Sequence, residues 1–158
     1  ICLSHPEGTV NRAVIAAAML ERGYISSIQE AFSGLLSKKG GYYMPPERLS
    51  AFDAIAFLRS VGAVPVLAHP FLNLKTEEAL RRFLSEAVPG GLTAMETMYS
   101  SFSPEATETA RRIAREFGLK ESGGSDFHGA TKPHIALGTG KGNLAVPDSF
   151  AEALKNSI

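Results

Sequence analysis

Cysteine is almost missing from this chain. Cys2 is the only one among 158 residues, which excludes an internal disulfide and a cysteine zinc cage and makes the cytoplasm the default compartment. Net charge is missing too, since sixteen Lys and Arg balance sixteen Asp and Glu. The balance is local, with seven residues of each sign in 1–79 and nine of each in 80–158. No basic face of the kind that coats DNA or grips a membrane surface is therefore expected. No uninterrupted apolar run approaches the roughly 20 residues of a membrane-spanning helix. Histidine is scarce at four residues, so the place of each one is informative.

What is present is the composition of a folded domain. A hydrophobic content of 44% and a mean hydropathy of +0.01 argue against disorder. The length suits one domain, and a domain of about 150 residues buries about 68–70% of its unfolded surface. The chain opens Ile1-Cys2-Leu3, with neither an initiator Met nor a signal peptide. A trimmed start and an excised piece of a longer protein are both open readings.

The first third reads as helices. Asn11 can cap a helix with Ile15, Ala18 and Met19 inward, and Gly23 closes it. Ser27 with Glu30, and Ser50 with Asp53, each form a capping-box pattern ahead of residues at helical spacing. From Gly62 the rhythm changes. Val64 to Ala68 is apolar on both faces, as a buried parallel strand should be, although Pro65 favours an edge or a strand start. A helix follows Thr76 with Leu80, Phe83, Leu84 and Ala87 inward. Leu92 to Met98 is the next strand, Ser103-Pro104 opens a further helix closed by Gly118, and Leu119 to Ser122 is a third strand. Asp148 can cap a last helix. This alternation is that of an α/β sheet or barrel with right-handed crossovers, and the helical stretch from Asn11 to about Lys39 stands outside it as an insertion or small cap.

Two motifs lie just past strands, where ligand and catalytic groups collect in α/β proteins. One is Ala68-His69-Pro70; the other is Gly124-Ser125-Asp126-Phe127-His128. On extended backbone Asp126 and His128 would point to one side, and with His69 they form a donor set suited to Zn²⁺, Mn²⁺ or Fe²⁺. The plainer readings are a packed or turn-forming His69 and an Asp126 that caps a Gly/Ser loop. His5 and His134 read as surface or loop residues, and Lys38-Lys39 as a solvated helix end. Glu96 ends a strand and can position a ligand or bind a neighbouring backbone. Arg12 is a candidate phosphate clamp because a guanidinium matches phosphate oxygens in bidentate fashion; the alternative is an exposed Arg at a helix start. Lys132 is a second candidate.

Taken in order, Asn11-Arg12, Glu21-Arg22-Gly23-Tyr24, Gly41-Tyr42, Pro45-Pro46, Ala68-His69-Pro70, Ala94-Met95-Glu96 and Gly124 to His128 resemble the PHP (polymerase and histidinol phosphatase) family of metal-dependent phosphoesterases. The likeness is strongest to the branch holding nucleoside 3′,5′-bisphosphate phosphatases, some of which are also 5′-to-3′ ribonucleases. It runs from about residue 10 to 147. The resemblance implies the C-terminal part of a distorted (βα)7 barrel over residues 49–158, with residues 1–48 forming a helical insertion, or cap. It implies that His69, Asp126 and His128 bind divalent ions (Mn, Zn, Fe or Mg, two or three in an intact parent), with Asp126 and His128 catalytic. Arg12 and Lys132 would then bind a phosphorylated small molecule, a nucleotide or short RNA.

The sequence departs from the family pattern in several places. The family's first motif, a His-x-His, is absent from these 158 residues, and Ser4-His5-Pro6 does not replace it. Val14 stands where relatives often carry histidine, Tyr99 and Phe102 where some do, and Phe71 where glycine is frequent. The expectation is a fragment inactive by itself, whose partner is the N-terminal part of the same protein. The alternative is a non-catalytic, nucleotide-binding or protein-interaction half.

Overall fold

The computed structural model describes residues 11–44 and 47–157. Cys2, His5 with its neighbours Ser4 and Pro6, and the Pro45-Pro46 pair lie outside the described residues. The chain forms two compact units, Ile1–Arg48 and Leu49–Ile158.

In the first unit, α1 (Arg12–Glu21) starts where the Asn11 side chain accepts hydrogen bonds from the N–H groups of Ala13 and Val14. Helix α2 (Ile28–Ser33) starts where Ser27 Oγ accepts from Glu30 N. The Glu30 carboxylate reaches back one residue further than a capping box requires, to the N–H and hydroxyl of Ser26. A small apolar cluster of Ala16, Ile25, Ala31 and Leu36 closes the unit. Ala16 is the fully buried residue of α1, while Ile15 and Met19 pack at its margin.

The second unit is α/β. Its elements are α3 (Ala51–Ser60), β1 (Val66–Leu67), α4 (Pro70–Asn73), α5 (Glu77–Ala87), β2 (Ala94–Tyr99), α6 (Pro104–Glu116), β3 (Lys120–Gly124) and α7 (Asp148–Lys155). Among the described residues the three strands make one parallel sheet in the order β1-β2-β3. Ser50, Thr76 and Ser103 cap their helices with a side-chain oxygen, because each hydroxyl accepts the N–H three residues on. Asp148 does not act as a cap. Pro147 takes that position, and Asp148 lies in the first turn of α7, where a carboxylate still complements the helix dipole.

The core of this unit lies between the sheet and its helices. Leu80, Leu84 and Ala87 of α5 meet Ala110, Ile113 and Ala114 of α6 against Met95 of β2. Outside that core α5 and α6 are tied by Arg81 and Arg112, which pair with Glu77 and Glu116.

Strand β1 is shorter and more open than a strand buried on both faces. Pro65 has no N–H to give, although its carbonyl accepts from Thr93 and Ala94, and ladder pairing is confined to Val66 and Leu67. Val66 is 37% exposed. Strand β2 carries a bulge. Glu96 pairs with Ser122 and Met98 with Gly123, so Thr97 is the extra residue. Thr97 is fully buried, and its hydroxyl donates to Glu121 of β3 at 2.7 Å. Strand period would put Glu96 and Tyr99 on opposite faces; the inserted residue restores them to the same one.

Candidate functional site

The bulge matters because Glu96 and Tyr99 hold the residues that follow β1 and β3. His69 follows β1 in a left-handed conformation (φ 30°, ψ 61°) and caps α4. Asp126 follows β3, also left-handed at φ 57°. Among the described residues these are the two non-glycine positions with positive φ. Such strain persists only where surrounding contacts impose it, and it concentrates at functional sites.

Those contacts are visible. The Glu96 carboxylate accepts the His69 N–H at 2.6 Å, so of the two roles open to Glu96, it binds the neighbouring backbone. Its other oxygen lies against Gly124, where a Cβ would come within 2.9 Å of it. Burial pushes the Glu96 carboxyl above its ordinary value of 4.5, and the His69 hydrogen bond offsets only part of that. Tyr99, from the same strand, donates its hydroxyl to Asp126 Oδ2 at 3.1 Å. Its ring sits 5.6 Å from the His69 ring. Lys132 reaches the same Oδ2 at 2.6 Å. Burial raises the Asp126 carboxyl, but the bonds from Lys132 and Tyr99, with the charges of Lys132 and His128, outweigh it and hold the group below its ordinary 3.8.

His128 is not aimed by an extended strand. Because Asp126 is left-handed, the chain turns, and His128 Nδ1 lies 2.7 Å from the Asp126 carbonyl and 3.6 Å from Asp126 Oδ1. The His128 side chain is 51% exposed and that of Asp126 only 23%. His134 is exposed in a loop, yet with Tyr99, Ser101, Ser125, Asp126 and Lys132 it lines a pocket of about 230 Å³. The loop that carries it folds back on Ser100, whose carbonyl accepts from Asn143 Nδ2 at 3.2 Å.

Arg12 belongs to the first unit. Its guanidinium donates to the Leu36 carbonyl at 3.2 Å and lies over the rings of Tyr43 (4.2 Å) and Phe32 (5.3 Å). It is therefore a packed cation rather than a freely exposed one.

The sequence-predicted residues Asp126, His128 and Lys132 are thus brought together, and His69 is joined to Asp126 through Tyr99. In the sequence Tyr99 stood out only as a residue in a place where some relatives carry histidine, which does not point to this role. Its role depends on a bulge and on a contact 27 residues along the chain, which residue spacing does not encode.

Whether these side chains suit a metal can be judged from their chemistry. Among the described residues His69 Nδ1 is buried and finds no hydrogen-bond partner, a costly state for a polar atom unless a further group satisfies it. Carboxylate and imidazole are the right donors for a divalent cation. Among the described residues, however, no three His, Cys, Asp or Glu side chains are gathered as a cage. The donors fit a partial coordination sphere rather than a complete one. Among the described residues no helix is long and apolar enough to cross a membrane.

No protein-family model matches the chain. Three curated relatives do. The chain is 31% identical to the 5′-3′ exoribonuclease Rnm of Escherichia coli and 30% identical to that of Salmonella typhimurium, over 83% of its own length in each case. It is 27% identical to the 5′-3′ exoribonuclease of Haemophilus influenzae over 77% of its length. It spans 44% of the length of each of these relatives. Among solved structures, a Bifidobacterium adolescentis protein assigned as a metal-dependent phosphoesterase superposes with a TM-score of 0.74 at 29% identity. That match covers 94% of this chain and 50% of the other. An amidohydrolase from Chromobacterium violaceum shares the fold, with a TM-score of 0.64 at 23% identity over 75% of this chain and 42% of its own.

Proposed function

We propose that this chain, which belongs to the PHP family of phosphoesterases, supplies one side of a metal-dependent active site that hydrolyses phosphate esters of nucleotides or short RNA. The 49–158 segment is read as the C-terminal part of a distorted (βα)7 barrel, and the 1–48 segment as its helical insertion. The observation that carries the reading is His69. It stands strained at the carboxyl end of β1 with a buried ring nitrogen that no group among the described residues satisfies. Asp126 and His128 stand at the equivalent end of β3.

His69, Asp126 and His128 would hold the divalent cation, one of Mn, Zn, Fe or Mg. When bound, such an ion acidifies water and neutralises charge on phosphoryl oxygens. The chain's own residues do the rest. Tyr99 and Lys132 keep Asp126 ionised and oriented, so that it can accept a proton or a ligand. Glu96 fixes the peptide that carries the His69 ring. Lys132 borders the pocket with its ammonium beside Asp126, where it can turn to a phosphate oxygen once the carboxylate is otherwise engaged. Arg12 is proposed as a separate phosphate-binding group of the helical unit. The partial donor set implies that the remaining ligands come from an N-terminal part of the same protein, so the described segment alone should be inactive.

The dispersal of donors favours one other reading, a half that binds nucleotide without turning it over. Hydrolysis of a nucleoside 3′,5′-bisphosphate and of a 5′-phosphorylated short RNA, with and without Mn²⁺, separates the two. Mn²⁺-dependent release of phosphate or nucleotide by the protein that carries this chain, abolished by His128→Ala, supports the enzyme. Binding without turnover under the same conditions supports the other reading.

A further inference from the structure

We infer that Tyr99 is a positioning residue that couples the two halves of the candidate metal site, an inference that rests on the reading above. Two contacts, one from each end of the side chain, carry it. The hydroxyl donates to Asp126 Oδ2 at 3.1 Å, on the oxygen that also receives Lys132. Both donors fall on Oδ2, which turns Oδ1 away from them, toward His128 at 3.6 Å. The ring is 5.6 Å from His69, so the same side chain walls the imidazole that follows β1.

Tyr99 is itself held from behind. Its ring meets Phe102 edge-on at 5.2 Å, and Phe102 meets Phe71 at 5.4 Å. Phe71 lies in α4, two residues after His69, so the row of rings begins and ends on the same segment. Tyr99 is 7% exposed, and the Thr97 bulge sets the face on which its side chain emerges. Removing the hydroxyl while keeping the ring therefore leaves Asp126 Oδ2 to Lys132 alone without disturbing the apolar row. Removing an apolar support does the reverse. Partners of this kind, bound to metal ligands rather than to the metal, typically change affinity about 10- to 100-fold when lost.

The test is Mn²⁺ binding to the protein that carries this chain, read from the electron paramagnetic resonance signal of free Mn²⁺, with thermal unfolding run on the same samples. Tyr99→Phe is expected to weaken Mn²⁺ binding at least about tenfold with an unfolding midpoint lowered less than in Phe102→Leu. Phe102→Leu is expected to lower the midpoint and leave Mn²⁺ affinity within about threefold of wild type. Asp126→Asn separates the two layers of the argument, and it should lose Mn²⁺ altogether. If Asp126→Asn loses the ion and Tyr99→Phe does not, the coupling role is wrong and the metal site stands. If Tyr99→Phe loses affinity only in proportion to a lowered midpoint, the residue is structural and the inference fails. If wild type binds no Mn²⁺, or Asp126→Asn binds it as wild type does, the metal reading falls and this inference with it.

Discussion

Replacing Glu96 probes how the strained end of β1 is held, and its effect has a sign that depends on pH. In Glu96→Ala the His69 N–H loses the acceptor at 2.6 Å. A part-buried donor left without a partner costs about 1–3 kcal/mol. The lower end is expected here, because the left-handed His69 peptide can relax once released. Glu96→Gln keeps an oxygen in place and removes the charge. The Glu96 pKa is raised above 4.5 by burial, so the folded form holds its proton more tightly than the unfolded form. That stabilisation is complete below about 4.5 and is lost as pH rises through the raised value. Below that window Glu96→Gln should match wild type. Above it, Glu96→Gln should be the more stable of the two, and the deficit of Glu96→Ala should shrink. Thermal or urea unfolding at a series of pH values reads this directly, with about 2–4 °C per kcal/mol for a chain of this size. A Glu96→Ala deficit that grows with pH, or a Glu96→Gln variant as weak as Glu96→Ala at low pH, would show that Glu96 does not hold the His69 peptide in this way.

Lys132→Met should act in the opposite pH sense. Asp126 is held below 3.8 in the fold, so the contribution of its ion pair is present above that value and lost as pH falls through the depressed one. Unfolding curves of Lys132→Met and wild type should therefore converge in strong acid and separate near neutrality, and a gap independent of pH would contradict the pairing. Gly123→Ala should weaken the β2–β3 seam. The new Cβ would stand 2.7 Å from Val146 Cγ2 and 3.0 Å from Met98 Cβ and carbonyl oxygen, an overpacking that costs about 1–3 kcal/mol. The measure is the urea midpoint, which Gly123→Ala must lower.

Much of the local architecture was legible because it is governed by short-range chemistry. A hydroxyl or amide three residues ahead of an orphan N–H is enough to start a helix, and Asn11, Ser27, Ser50, Thr76 and Ser103 all do so. Asp148 broke that pattern because Pro147, with its fixed φ, already occupies the turn. The strand ends were legible through His69, which directly follows the apolar run Val64 to Ala68, and through the Gly/Ser-rich stretch that leads from β3 to Asp126. Their conformations were not. Strand period assumed extended backbone at Asp126, and its φ of 57° turns His128 onto the Asp126 carbonyl instead. Tyr99 escaped for a related reason: one extra residue at Thr97 moves it to the face that the alternation denies it.

The measurement closest to the central claim is divalent-ion dependence of phosphoester hydrolysis by the protein that carries this chain. Phosphate or nucleotide release from a nucleoside 3′,5′-bisphosphate is followed before and after chelation, then with Mn²⁺ restored, in wild type and in His69→Ala. Activity should vanish on chelation, return with Mn²⁺, and fall by at least about 100-fold in His69→Ala at saturating substrate. Turnover that survives chelation, or that is unchanged in His69→Ala, would rule out a metal site built on His69.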